Sequence, residues 1–210
     1  LKRIDKGEEP AALARWKARH PGRHYEDLDH VERTAIRQAC ASEQFYLCAY
    51  CCQSISGDAS DTMNEHLQPR HLNRQLSLDF NNIVASCTNK GQCDDAHGHQ
   101  TLTLTPIMIE CESELRFRLS GRVEGITPRA QETIRVLNLG DHERNNKSLV
   151  EKRKQLAHWL MLQNGVDPES PLEDDELLQS VIDDLNTPAD GVLPPFAPVV
   201  ANILRGWLNG

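Results

Sequence analysis

The chain has 210 residues, 39% of them hydrophobic, and 31 acids against 23 lysines and arginines give a formal net charge of -8 at pH 7. That is enough to bury one moderate core, or a small metal-stapled module with helical additions, and too little for several large domains. No run approaches the ~20 apolar residues of a membrane-spanning helix, and Leu1 to Lys6 shows no apolar signal segment, so a cytoplasmic protein with no membrane partner is expected.

In chain order, residues 8–20 predict a short helix stopped by Pro21 and Gly22, and 25–43 a second one carrying Leu28, Val31, Ile36 and Ala39. Residues 11–24 hold Arg15, Lys17, Arg19 and Arg23 with no acid, a phosphate-contacting face or simply a solvated one. From Phe45 to about Pro106 the composition turns to cysteine, histidine, asparagine and short apolar runs. The period-two alternation of 115–119, with Ser120 to Val123 as a turn, predicts a small hairpin near 108–123. Helices are expected over 128–138, 147–163, 172–185 and 199–208, the last two separated by a Pro-rich link. The stripe of Leu149, Leu156, Trp159, Leu160 and Leu162 reads as core or interface.

Seven cysteines, an odd number, in a reducing compartment point to metal ligation rather than a disulfide framework. Cys48 and Cys51 form a C-x2-C knuckle, and Cys87 and Cys93 supply a second pair about thirty-five residues on. Four thiolates on two such turns suit closed, tetrahedral, structural zinc. The wider spacing of the second pair leaves Cys52 or His97 open as a replacement ligand, whereas Cys40 and Cys111 read as buried apolar residues.

Between the two pairs lie Asn64-Glu65-His66-Leu67-Gln68-Pro69 and Asn81-Asn82-Ile83-Val84-Ala85-Ser86-Cys87. This order, nested inside a zinc knuckle pair, resembles the HNH, or ββα-metal, nuclease motif. With Arg3-Ile4-Asp5-Lys6-Gly7, Trp16, the Cys-Ala-Tyr-Cys knuckle and Glu132 to Leu139, the chain up to about Leu156 is similar to the retron- and Septu-associated HNH proteins, the PtuB-like nucleases. The resemblance implies an α+β fold, a small zinc-braced ββα-metal module at 45–125 set between an N-terminal helical segment, 1–44, and a C-terminal helical region with an acidic tail, 126–210. It also implies an anti-phage effector working with a PtuA-type SMC/ABC ATPase, in retron versions together with a reverse transcriptase and its RNA-DNA product.

Phosphodiester hydrolysis needs a nucleophilic water, a base and a cation that stabilises developing charge. Neutral imidazole at His66, with an ordinary pKa near ~6.5, suits the base. Glu65, its neighbour on an extended segment, points to the opposite side and is free to ligate a divalent ion, Mg or Mn. By the family pattern Asn82 spans the loop and bonds backbone to hold His66. A second metal ligand is expected after Cys93, where Asp94 and His97 are one helical turn apart and His97 is preferred; His99 follows. Met63 stands where the family often has histidine, which removes a proton-relay role there. His20, His24, His30, His71, His142 and His158 read as surface residues.

DNA is the favoured substrate, with RNA such as tRNA the alternative, since such a site contacts phosphate and demands little of the sugar. A non-catalytic zinc-folded adaptor is the remaining rival. Residues 166–210 carry nine acids against Arg205 and so the whole net charge, which should keep them away from a DNA cleft. Their apolar helix is expected to dock on the ATPase rather than on the chain's own helices.

Overall fold

The computed structural model describes residues 1–141, 145–170 and 174–208; His142 lies outside them. The fold is mixed, with helices around two small antiparallel sheets. Helix α1, Ala11–Arg19, ends at the Pro21-Gly22 break and packs on α2, His30–Glu43. The expected single helix over 25–43 is two pieces. Tyr25–Asp27 is one 3-10 turn, closed by the Asp27 carboxylate on the His24 backbone N–H at 2.9 Å, and Leu28 is extended before α2 begins.

Strand β1, Thr62–His66, pairs antiparallel with β2, Ile83–Cys87, in a register that sets His66 opposite Ile83 and Glu65 opposite Val84. All five β2 residues are buried, because α2 covers the pair and the cysteine knuckle lies beside it. The Gln44 amide, just past α2, completes the strand edge: Oε1 accepts from Ala85 N at 2.7 Å and Nε2 donates to Ala85 O at 2.8 Å. A four-residue helix, α3 (Asp94–His97), follows the second cysteine pair.

The second sheet joins β3, Leu115–Phe117, to β4, Val123–Gly125. The alternation of 115–119 therefore predicts a strand correctly, but residues 105–114 are consecutive turns and not a strand, with Met108 N on Thr105 O and Cys111 N on Met108 O. At the hairpin turn Gly121 has φ +81°, and a Cβ there would come 2.1 Å from the Val150 carbonyl oxygen. Only glycine allows α5 (Lys147–Gln163) to approach so closely. Helix α4, Pro128–Val136, opens with Thr127 accepting from Ala130 N and Pro128 at its first position.

One core runs from Leu13 and Ile36 through Tyr50, Ile83, Leu115 and Ile134 to Phe196, crossing the expected divisions at 44 and 125. A second, smaller core joins α5, α6 (Asp175–Asn186) and α7 (Ala197–Leu208). Helix α7 belongs to both: Val199 and Ile203 enter the first core, Val200, Ala201 and Leu204 the second. This corrects the expectation that the terminal apolar helix docks on a partner, because its apolar face is spent inside the chain. Trp159 and Leu162 on α5 are the residues of the expected stripe that stay exposed. No helix among the described residues is long and apolar enough to cross a membrane.

Candidate active site and metal centre

The four cysteines of the two pairs converge. The sulfurs of Cys48, Cys51, Cys87 and Cys93 all lie within 4.8 Å of one another and all four residues are buried. A tight turn brings the first two together, with Cys52 N donating to Cys48 O at 3.1 Å and Cys48 N to Gln53 O at 2.8 Å. Cys87 ends β2, and Cys93 sits at φ 53° just before α3. A zinc–sulfur bond of about 2.3 Å in a tetrahedron puts sulfurs about 3.8 Å apart; Cys51 and Cys87 Sγ stand at 3.9 Å.

The surroundings suit charge on sulfur. Gln53 Nε2 donates to Cys51 Sγ at 3.2 Å and Cys87 N to Cys48 Sγ at 3.3 Å. Burial pushes the Cys51 and Cys93 thiols well up, whereas in Cys48 hydrogen bonds from the other three thiols outweigh burial and hold it well down. A divalent cation would relieve that conflict by taking all four as thiolates, so the cluster fits a structural metal such as zinc. Cys52 is buried outside the cluster, and the His97 ring faces Glu65, so neither replaces a cysteine. Cys40 and Cys111 are buried, as their apolar reading expects.

On the other side of the knuckle a cleft of about 700 Å³ opens over β1. Glu65, His66 and Asp94 line it, together with Tyr25, Asn64, Arg70, His71, Arg74 and His99. His66 is 6% exposed, its ring packed edge-on against Tyr25 at 4.7 Å between centroids. His66 Nε2 stands 3.0 Å from the Ser77 carbonyl oxygen. A carbonyl only accepts, so Nε2 carries the proton and Nδ1 keeps the lone pair. Burial lowers the His66 pKa to about 4, below the ordinary histidine value, so the ring stays neutral at cellular pH.

Asn82 binds the two ends of the intervening loop through backbone groups. Its Oδ1 accepts from Gln68 N at 2.8 Å, and its Nδ2 donates to Gln68 O and Leu76 O, both at 3.2 Å. Leu76 precedes Ser77, so the amide fixes the turn that presents the carbonyl to His66. On the opposite edge Lys6 donates to Ile83 O at 2.7 Å, pairs with Glu43 and lies 3.7 Å from the Phe80 ring centroid.

Glu65 is 6% exposed and accepts from the His66 backbone N at 3.1 Å and the Tyr50 hydroxyl at 3.3 Å. His97 Nδ1 contacts its Oε1 directly. Burial raises the Glu65 pKa, and burial together with the neighbouring Glu65 carboxyl raises that of Asp94 to about 8. Two carboxyls that resist ionising together beside an imidazole nitrogen make a donor set that a hard divalent cation would satisfy. Glu65, Asp94 and His97 are thus neighbours; Asp94 faces the cleft, while His97 is 1% exposed behind Glu65. Among the described residues the cysteines alone form a set of three or more candidate ligand atoms as close as 4.8 Å, so the carboxylate site is the looser of the two.

Several of these groups escape a reading by motif. Tyr50 lies inside the cysteine knuckle and links it to Glu65, and Tyr25 supports the His66 ring from a distant segment. Ser77 acts through its carbonyl, which no residue type announces. His71 is exposed, as its surface reading expects, and in addition lines the cleft and meets His99 edge-on at 5.2 Å. No protein-family model matches the chain, and the search of curated proteins finds no match.

Proposed function

We propose that the chain is a metal-dependent HNH-type endonuclease that hydrolyses DNA phosphodiester bonds, with His66 as the general base. The observation that carries this is the orientation of His66, with its Nε2 proton held on the Ser77 carbonyl, in an open cleft that Glu65 and Asp94 also line.

In this reading Nδ1 takes a proton from the attacking water, and the new phosphorus–oxygen bond forms as the bond to the leaving sugar oxygen breaks. Glu65 and Asp94, with His97 behind them, would hold Mg or Mn, and such an ion would supply positive charge against the developing phosphorane and leaving oxygen. Asn82 keeps the imidazole aligned by fixing the loop, and the zinc cluster anchors both β2 and α3, so base and carboxylates share one rigid frame. The neutral state of His66 supports the base role, since a protonated ring could not accept.

Within this proposal the chain acts as a defence effector beside a PtuA-type ATPase. None of the described residues of the acidic stretch from Val166 onward lines the cleft, which supports substrate access. The test is to incubate the purified chain, with and without such an ATPase, with labelled DNA and with total RNA in Mg or Mn, and with chelator. Metal-dependent DNA cleavage supports the proposal; cleavage of RNA alone favours the ribonuclease, and no cleavage of either favours the adaptor.

A further inference from the structure

The loop that holds His66 also carries two of the three arginines that line the cleft. Residues 67–78 contain Arg70, His71 and Arg74 and no acid, in a chain whose net charge is -8. A polyanion is repelled by such a chain at long range, so capture has to come from a local cationic surface. Arg33, although it lines the cleft, is engaged by the carbonyls of Leu28 and Glu26 at 3.0 and 2.9 Å. Arg70 pairs with Glu26 at 2.7 Å and stacks 5.1 Å from the Tyr25 ring centroid, the ring that also supports His66. Arg74 is exposed, lines the cleft and makes no side-chain hydrogen bond or ion pair within 4 Å among the described residues, although the Glu26 and Asp27 carboxylates feel its charge from further off. A guanidinium with its fork free at the rim of an anion-processing cleft matches a phosphate with two parallel N–H donors.

We propose that Arg74, steadied by Arg70, is a phosphate-binding residue that takes the nucleic-acid backbone at a link flanking the one beside His66. The substrate class is then a strand continuing past the scissile bond, and an isolated phosphodiester lacks the group this wall recognises. The inference rests on the nuclease reading above. Arg74 also opens the 3-10 turn Arg74–Leu78 that contains Ser77, so a phosphate contact must be separated from an indirect effect on His66.

Two substrates make that separation: a labelled DNA duplex and bis(p-nitrophenyl) phosphate, which carries one phosphate and no neighbour. Arg74→Ala is expected to raise KM for the duplex about tenfold, leave its kcat unchanged, and flatten the dependence of log KM on log salt by about one unit. Hydrolysis of bis(p-nitrophenyl) phosphate should be unchanged, and Arg74→Lys should restore most of the duplex KM. If hydrolysis of both substrates falls together, Arg74 acts through the Ser77 turn and the proposal is overturned; it is equally overturned if the duplex KM and salt slope do not move. If the wild-type chain hydrolyses neither substrate, the nuclease reading itself fails and the phosphate wall falls with it.

Discussion

The Ser77 carbonyl, eleven residues along the chain from His66, accepts the Nε2 proton at 3.0 Å and thereby decides which nitrogen of the imidazole is free to act as a base. Asn82 holds that carbonyl in place through the neighbouring Leu76 oxygen. Asn82→Ala removes three backbone hydrogen bonds from a buried side chain. It is expected to cost about 1–3 kcal/mol of stability and to lower kcat for DNA by more than that destabilisation explains, because the loop no longer aligns His66. Asn82→Asp, which keeps the acceptor for Gln68 N and loses the donor, should fall between. Thermal melts and single-turnover cleavage of the same preparations check this, and unchanged kcat in Asn82→Ala would contradict it.

About one zinc per chain is expected. Stripping it with a strong chelator, or changing Cys48→Ser or Cys87→Ser, should unfold the region around β1 and β2, since structural zinc contributes on the order of 10 kcal/mol to small modules. Metal analysis and circular dichroism read both effects. Well-folded protein without metal would refute the role.

Helix α7 joins the two cores, so removing residues from Pro194 onward should unfold the isolated chain rather than merely weaken a partner contact. Leu204 is fully buried, and Leu204→Ala should cost about 2–5 kcal/mol. A truncated chain with an intact cooperative melt would show that the helix is dispensable.

Glu114 accepts hydrogen bonds from Arg129 and Thr127, and these hold its pKa down to about 2, from an ordinary 4.5. A carboxylate depressed on folding adds stability that is fully present above about 4.5 and is lost as pH falls toward 2. The Glu114 carboxyl, followed by NMR, should titrate near the lower value and move back up in Arg129→Ala. An unmoved midpoint would rule out the arginine as the cause.

Much of this arrangement is legible in sequence because the chemistry is carried by residue types at short spacing. Cys48 and Cys51 mark one turn, Glu65 and His66 are expected on an extended segment that proves to be β1, and the loop role of Asn82 comes with the HNH resemblance. Helix α5 has the expected bounds because apolar positions and Gly165 both delimit it. The remainder depends on contacts between distant segments. Tyr25 approaching His66, Tyr50 reaching Glu65 and Ser77 offering a backbone oxygen leave no local pattern, and the burial that lowers the His66 pKa below its ordinary value arises only once they assemble. The place of helix α7 is hidden for a related reason: an apolar face reports that something covers it, and its covering surface, made by α5, α6 and β3, is not visible in its own twelve residues.

That His66 is the base is tested most directly by metal-dependent cleavage of a DNA duplex by His66→Ala beside the wild-type chain. Zinc content and thermal melts should be followed in the same samples. Cleavage should fall by a factor of about 10² or more, with zinc retained and the melt essentially unchanged, because His66 is not among the four sulfur ligands. Cleavage by His66→Ala at the wild-type rate would contradict it.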